Sequence, residues 1–182
     1  EFFSILRSEI DKDRRPGRFL ILGSASRDLI KQSTESLAGR IAYIDLTPFL
    51  LKEVKRVTSW PDLWLRGGFP ESLLVDNDQH SFDWRLDFIR TFMERDIPSL
   101  GFAIPVPVIE RLWLLIAHYH GQTINYSKLA AAADISIPTL KKYLAILEQT
   151  YMIRMLQPYM ANLKKRLVKS PKIYIRDSGI LH

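Results

Sequence analysis

Residues 127–149 read SKLAAAADISIPTLKKYLAILEQ, and the reading of this stretch decides the fold of the C-terminal half. Two helical patterns, Ser127 to Ala133 and Ile137 to Gln149, flank the short turn Asp134-Ile135-Ser136. Ser127 is the candidate cap of the first helix. Ser136 is that of the second, ahead of Pro138 in the first turn, where a missing N–H costs nothing. Leu140, Leu144 and Leu147 fall on one face at i, i+4 and i+7, while Thr139, Lys141 and Lys142 lie off it. This is helix-turn-helix spacing. The off-face groups occupy the N-terminal half of the second helix, the part that enters a DNA major groove in this motif.

Working outward, Val108, Leu112, Leu115 and Ile116 predict a preceding helix that ends near Gly121. Met152 to Gln157 and Lys172 to Ile175 predict two strands enclosing a long basic tip from Asn162 to Pro171. A helix-turn-helix followed by such a hairpin is the winged-helix pattern. Lys164, Lys165, Arg166 and Lys169 are placed to neutralise phosphates, a sequence-independent and salt-sensitive contribution. Winged helices also serve as protein-contact or lid domains, and the fold alone does not choose between these uses.

Charge divides the chain in the same place. Residues 1–104 hold 15 basic and 16 acidic side chains, whereas residues 105–182 hold 11 basic and only 4 acidic ones. That asymmetry predicts two modules, the second facing a polyanion such as duplex DNA, although a merely solvated basic surface has the same composition. No stretch approaches the roughly 18 apolar residues of a membrane helix, so no membrane partner is expected. The absence of cysteine excludes disulfides, thiolate metal sites and a cysteine nucleophile, and is compatible with the expected cytoplasmic location. The chain begins at Glu1 with nothing that reads as a signal peptide, and it reads as a piece of a longer protein.

The N-terminal third alternates helix and strand. Phe3, Leu6 and Ile10 predict a helix over 2–12 that ends before the Arg15-Pro16-Gly17 turn. Arg18 to Leu22 predicts a strand running into the small polar loop Gly23-Ser24-Ala25-Ser26. A helix over 27–38 with Gly39 as its C-terminal cap and a strand over Ile41 to Leu46 complete the order. Two strands cannot make a covered parallel sheet, so this region reads as the trailing end of a larger α/β domain.

Several separated runs carry a resemblance. Phe19 to Ser26, Glu35 to Arg40 and Leu46-Thr47-Pro48-Phe49 resemble a widespread prokaryotic group of AAA+-like P-loop ATPases. Leu65 to Glu71, Glu94 to Ile97 and Ile175 to Gly179 look like the same group. In that group an ATPase core precedes a C-terminal domain of unknown function with a winged-helix segment and then a restriction-endonuclease-like segment. The resemblance implies that Ser24, with Ser26 as a close rival, is a polar sensor near the γ-phosphate. It also implies that Arg40 neutralises charge on the transferred phosphate. Each has a plainer reading: a small residue in a tight turn for Ser26, and a favourable charge at a helix C-terminus for Arg40.

The group's G-x-x-x-x-G-K-[ST] loop and its metal-binding acidic strand occur nowhere in this chain. ATP and Mg²⁺ are therefore expected only in the full-length parent. No cofactor and no hydrolysis are expected of the isolated chain. No metal site is expected either. His118 and His120 lack nearby carboxylates, Asp76 and Asp78 belong to a polar loop, and Glu94 and Asp96 point apart on a helix predicted over 81–97. In that helix Ser81 is the expected cap, Pro98 the stop, and Phe82, Leu86, Ile89, Phe92 and Met93 the buried face opposite Arg85, Asp87, Arg90 and Glu94.

The expected fold class is α+β: the end of an α/β P-loop ATPase core over 1–58, a helical linker or lid over 59–104, and a winged helix-turn-helix over 105–182. The function this implies is that of a fragment of an AAA+-like ATP-hydrolysing protein, with the missing N-terminal core and a second copy of itself as further partners. The competing reading is a winged-helix DNA-binding module or transcription regulator that works without ATP.

Overall fold

A computed structural model describes residues 2–22, 37–159 and 169–182. The chain divides into two compact units, Glu1–Leu46 and Thr47–His182, and is mixed in class, mostly helical with one small antiparallel sheet.

In the first unit, α1 (Phe2–Lys12) turns Phe3 and Leu6 inward against Leu37, with Ile10 and Ile41 at the margin. The Pro16-Gly17 turn follows, with Gly17 at φ +75°. The segments expected as strands, Arg18 to Leu22 and Ile41 to Leu46, are not strands. A strand exists by hydrogen bonding to a neighbour, and neither segment has a ladder partner among the described residues. Their apolar side chains are left open: Leu20 is 81% exposed, Leu22 80%, Ile44 87% and Leu46 95%. The helix expected over 27–38 lies almost wholly outside the described residues; Leu37 to Arg40 form a turn with Gly39 at φ +72°.

The second unit begins with three short helices, α2 (Leu51–Val54), α3 (Trp60–Arg66) and α4 (Pro70–Leu73), followed by the long α5 (Asp78–Thr91). Asn77 caps α5, its Oδ1 accepting the His80 N–H at 2.9 Å, so Ser81 is not the cap. Ser81 is instead buried, sharing a 2.8 Å hydrogen bond with the Ser72 hydroxyl. Of the expected buried face, Phe92 and Met93 are buried and Ile89 packs against the core, but Phe82 is 40% and Leu86 51% exposed, while Arg85, expected outside, is only 5% exposed. Arg85 faces inward because a buried carbonyl needs a donor, and its Nη1 donates to Gly179 O at 2.7 Å. Beyond Thr91 the helix widens to a π-turn over Phe92–Asp96 and ends with the turn Ile97–Ser99. Pro98, expected to stop the helix, is inside that final turn. Its missing N–H and its ring are incompatible with regular helix just upstream, where the π-turn lies.

Three helices and a hairpin complete the unit: α6 (Val106–His118), α7 (Tyr126–Ala133), α8 (Ile137–Gln149), β1 (Ile153–Leu156) and β2 (Lys172–Ile175). Asn125, not Ser127, caps α7, its Oδ1 accepting the Lys128 N–H at 3.0 Å. Ser136 caps α8 as expected, and Leu140, Leu144 and Leu147 are buried. Asp134 takes the left-handed conformation (φ 57°), which starts the three-residue turn Asp134-Ile135-Ser136 between α7 and α8. The strands pair antiparallel, Ile153 opposite Ile175 and Met155 opposite Ile173, which puts all four on the face against the helices. Ile109, Leu112, Ile116 and Leu129 complete that core.

Candidate functional site

Of the residues expected to meet a nucleotide, Ser24 and Ser26 lie outside the described residues. Arg40 follows the Gly39 turn and is held by Asp11 of α1 through two bonds, Nε to Oδ1 at 2.9 Å and Nη2 to Oδ2 at 3.1 Å. Its Nη1 also donates to Ala38 O at 3.1 Å. Asp11 also accepts from Arg14 Nη2 at 2.8 Å, and these guanidiniums, Arg40 first, hold its carboxyl below the usual carboxylate range. A bidentate pair of this kind fixes the guanidinium plane.

Of the residues expected to meet DNA, Thr139, Lys141 and Lys142 sit at the N-terminal end of α8. The Thr139 hydroxyl shares a 2.8 Å hydrogen bond with the Ser136 cap. Lys141 Nζ lies 5.2 Å from the centroid of the Tyr126 ring on α7, which fixes an otherwise loose side chain, while Lys142 is exposed. Lys169 is exposed just ahead of β2; Lys164, Lys165 and Arg166 lie outside the described residues. Tyr126 and the exposed Lys128 were not singled out by pattern, because neither breaks a periodicity.

The third cluster joins runs far apart in sequence. Asp177, 5% exposed, accepts the Gly68 N–H at 2.7 Å through Oδ2, and the Gly179 and Ile180 N–H groups at 2.9 and 3.3 Å through Oδ1. Ser72 Oγ donates to Arg66 O at 2.6 Å, and Phe49 N–H to Gly68 O at 2.7 Å. A Cβ on Gly67 would run into the Asp177 carboxylate, one on Gly68 into Phe49 O and one on Gly179 into Arg66 O. Burial pushes the Asp177 carboxyl above its ordinary range, against the pull of the three N–H donors and of Arg85. The arrangement is a clasp that ties the start of this unit to its end, and the Asp177 carboxylate in it is held by three backbone N–H groups.

No group of three or more His, Asp or Glu among the described residues is placed to hold a metal ion. His120 is instead a structural acceptor, its Nδ1 taking the Ile175 N–H at 3.1 Å, and burial lowers its pKa. No helix among the described residues is long and apolar enough to cross a membrane.

The described residues thus comprise an N-terminal unit in which one helix orients an arginine, joined in sequence to a clasped helical unit that carries three helices and a hairpin. The chain belongs to the family described as a domain of unknown function (DUF8612), whose match covers residues 57–182. Residues 1–55 match an AAA domain, which relates this stretch to AAA-type ATPases. Uncharacterized proteins of Mycobacterium bovis and Mycobacterium tuberculosis are each 43% identical over 182 residues, the whole of this chain. The chain spans 41% of the length of these relatives. No solved structure matches it.

Proposed function

We propose that residues 1–58 are the end of an AAA-like ATPase core and that residues 59–182 are its C-terminal module, a helical linker followed by a winged helix. The AAA match over residues 1–55 is the observation that carries this reading. Two facts support it. The side chains of Leu20, Leu22, Ile44 and Leu46 are open, as those of strands whose sheet neighbours lie elsewhere would be. Arg40 is held rigidly at the end of a turn, as a residue presented to a developing charge must be. The residues present do not cradle a nucleotide by themselves, since the sequence has no G-x-x-x-x-G-K-[ST] loop; phosphate and Mg²⁺ would be held from outside this chain. In this reading Ser24 or Ser26 is the sensor, and Asp11 orients Arg40. The test is ATPase activity of a chimera that joins this chain to the upstream part of the M. tuberculosis relative. The reading fails if neither that chimera nor the relative turns over ATP.

A second reading concerns the same module as a DNA contact. It is favoured by Lys141 held over the Tyr126 ring beside exposed Lys142, and by the isolated bridge Thr123 to Lys172, which adds a third segment to the hairpin. Duplex binding should be weak, with log K against log[salt] falling by about 0.9 per phosphate neutralised, so a slope near −3 to −4 for about four contacts. Replacing Lys164, Lys165 and Arg166 together by Ala should flatten that slope without altering sequence preference. Undetectable binding at low salt, or an unchanged slope, leaves the module as a protein-contact element.

A further inference from the structure

Within the Thr47–His182 unit, a groove of about 620 Å³ separates the outer face of the hairpin from the segment that carries α2 and α3. One wall is apolar and open: Leu50 is 46% exposed, Leu51 47% and Trp64 55%. The hairpin wall carries Leu156, with Arg154 and Arg176. Strand alternation puts Leu156 and Arg154 there, and Arg176 directly follows β2. Arg154 opposes Tyr174 in the register, so both project away from the core face occupied by Ile153 and Ile175. Neither arginine is in an ion pair among the described residues. The groove's own carboxylate, Asp177, is buried, accepts three backbone N–H groups and forms an ion pair with neither arginine.

Open leucines beside Arg154, which has no ion pair among the described residues, and Arg176, whose guanidinium lies 5.0 Å from the Tyr151 ring centroid but meets no carboxylate, are complementary to a large apolar side chain next to a carboxylate. We propose that this groove binds a peptide segment of a separate protein in which one large apolar residue is flanked by Asp or Glu. Single-stranded nucleic acid also combines rings with negative charge, but it needs free ring faces on which to stack. Here the apolar wall is largely leucine, and of the groove's rings Tyr174 meets His120 at 5.3 Å and Trp64 meets His182 at 5.4 Å, which leaves Phe49 as a single ring and not a row on which successive bases could stack. Added-strand recognition is obstructed too, because the Met155 N–H on the β1 edge donates to Glu148 Oε1 at 2.9 Å. The peptide is therefore held through its side chains.

The proposal is independent of any nucleotide chemistry. Fluorescence anisotropy of a fluorescein-labelled Glu-Asp-Leu-Phe-Asp-Glu peptide, titrated with the 182-residue chain, should give saturable binding with a Kd of about 1–100 μM. Arg154→Glu should weaken it by about tenfold or more, and Leu50→Asp should abolish it. Both side chains are exposed and Asp is a good residue at the α2 N-cap position, so circular dichroism melts should stay as in the wild type. A peptide with Lys in place of each acid should not bind. No saturation by about 1 mM, or equal binding by the Lys peptide or by Arg154→Glu, overturns the proposal. If labelled oligothymidine binds and Arg154→Glu releases it while the acidic peptide fails, the groove is a nucleic-acid site instead.

Discussion

Gly67 is the residue on which the clasp closes. Its φ of +78° already disfavours a side chain, and a Cβ would collide with Asp177. Gly101 has a similar φ of +82° with nothing within 4 Å of its would-be Cβ, which makes it a control for positive φ alone, whereas Gly67 pairs its φ with ψ −175°, a region essentially reserved for glycine. Gly101→Ala should cost about 1–2 kcal/mol, and Gly67→Ala about 2–4 kcal/mol because that backbone region and the overlap both add to it. All 4 tryptophans, Trp60, Trp64, Trp84 and Trp113, lie in the second unit, so urea unfolding followed by their fluorescence reads that unit alone. Asp177 adds a pH signature. Its folded pKa is raised, so between the ordinary carboxylate value near about 4 and the folded value the folded state keeps a proton that the unfolded state has lost. Its contribution to stability therefore declines as pH rises through that window. The urea midpoint of the wild type minus that of Asp177→Asn should shrink over the same range; a difference that grows with pH would mean that the N–H donors outweigh burial. None of this was legible in sequence. The Asp177–Gly68 bond spans 109 residues, and the runs containing these residues stood out only by resemblance.

The elements whose signals are local were the legible ones. The whole of α8 follows from Ser136, Pro138 and three leucines within one stretch, and β2 follows from its alternation. Cap identity on α7 was misread, because Asn125 and Ser127 are both cap residues two positions apart and only the Lys128 N–H decides between them. Ser136→Ala should accordingly lower stability by about 1 kcal/mol, whereas Ser127→Ala, at an exposed position inside the first turn, should stay within about 0.5 kcal/mol. Fluorescence-monitored urea midpoints of the two variants check this, and equal losses would return the cap to Ser127. The phase of α5 was misread for a different reason: hydrophobic periodicity sends arginine outward, and only the distant Gly179 carbonyl brings Arg85 in. Phe19 to Leu22 and Ile41 to Leu46 have strand composition, but composition does not supply a hydrogen-bonded neighbour.

At the scale of the whole molecule, the AAA match over residues 1–55 and the family match over residues 57–182 divide the chain into an ATPase-related part and a second part, and the charge step at residue 105 falls inside that second part. The candidate nucleotide site was only partly legible. Arg40 was found at the end of its turn, but its bidentate hold on Asp11, 29 residues away, leaves no local trace in sequence. If Arg40 serves an ATPase, it acts on charge that appears in the transition state, and losing it should leave the ground-state complex nearly intact. The decisive measurement is ATP turnover and ATP affinity of the chimera with the M. tuberculosis relative, with and without Arg40→Ala. Turnover should fall by about 10³-fold or more with affinity changed less than about threefold. Unchanged turnover, or turnover and affinity lost in equal measure, would contradict a catalytic Arg40 and leave the Asp11 pair as a piece of scaffold.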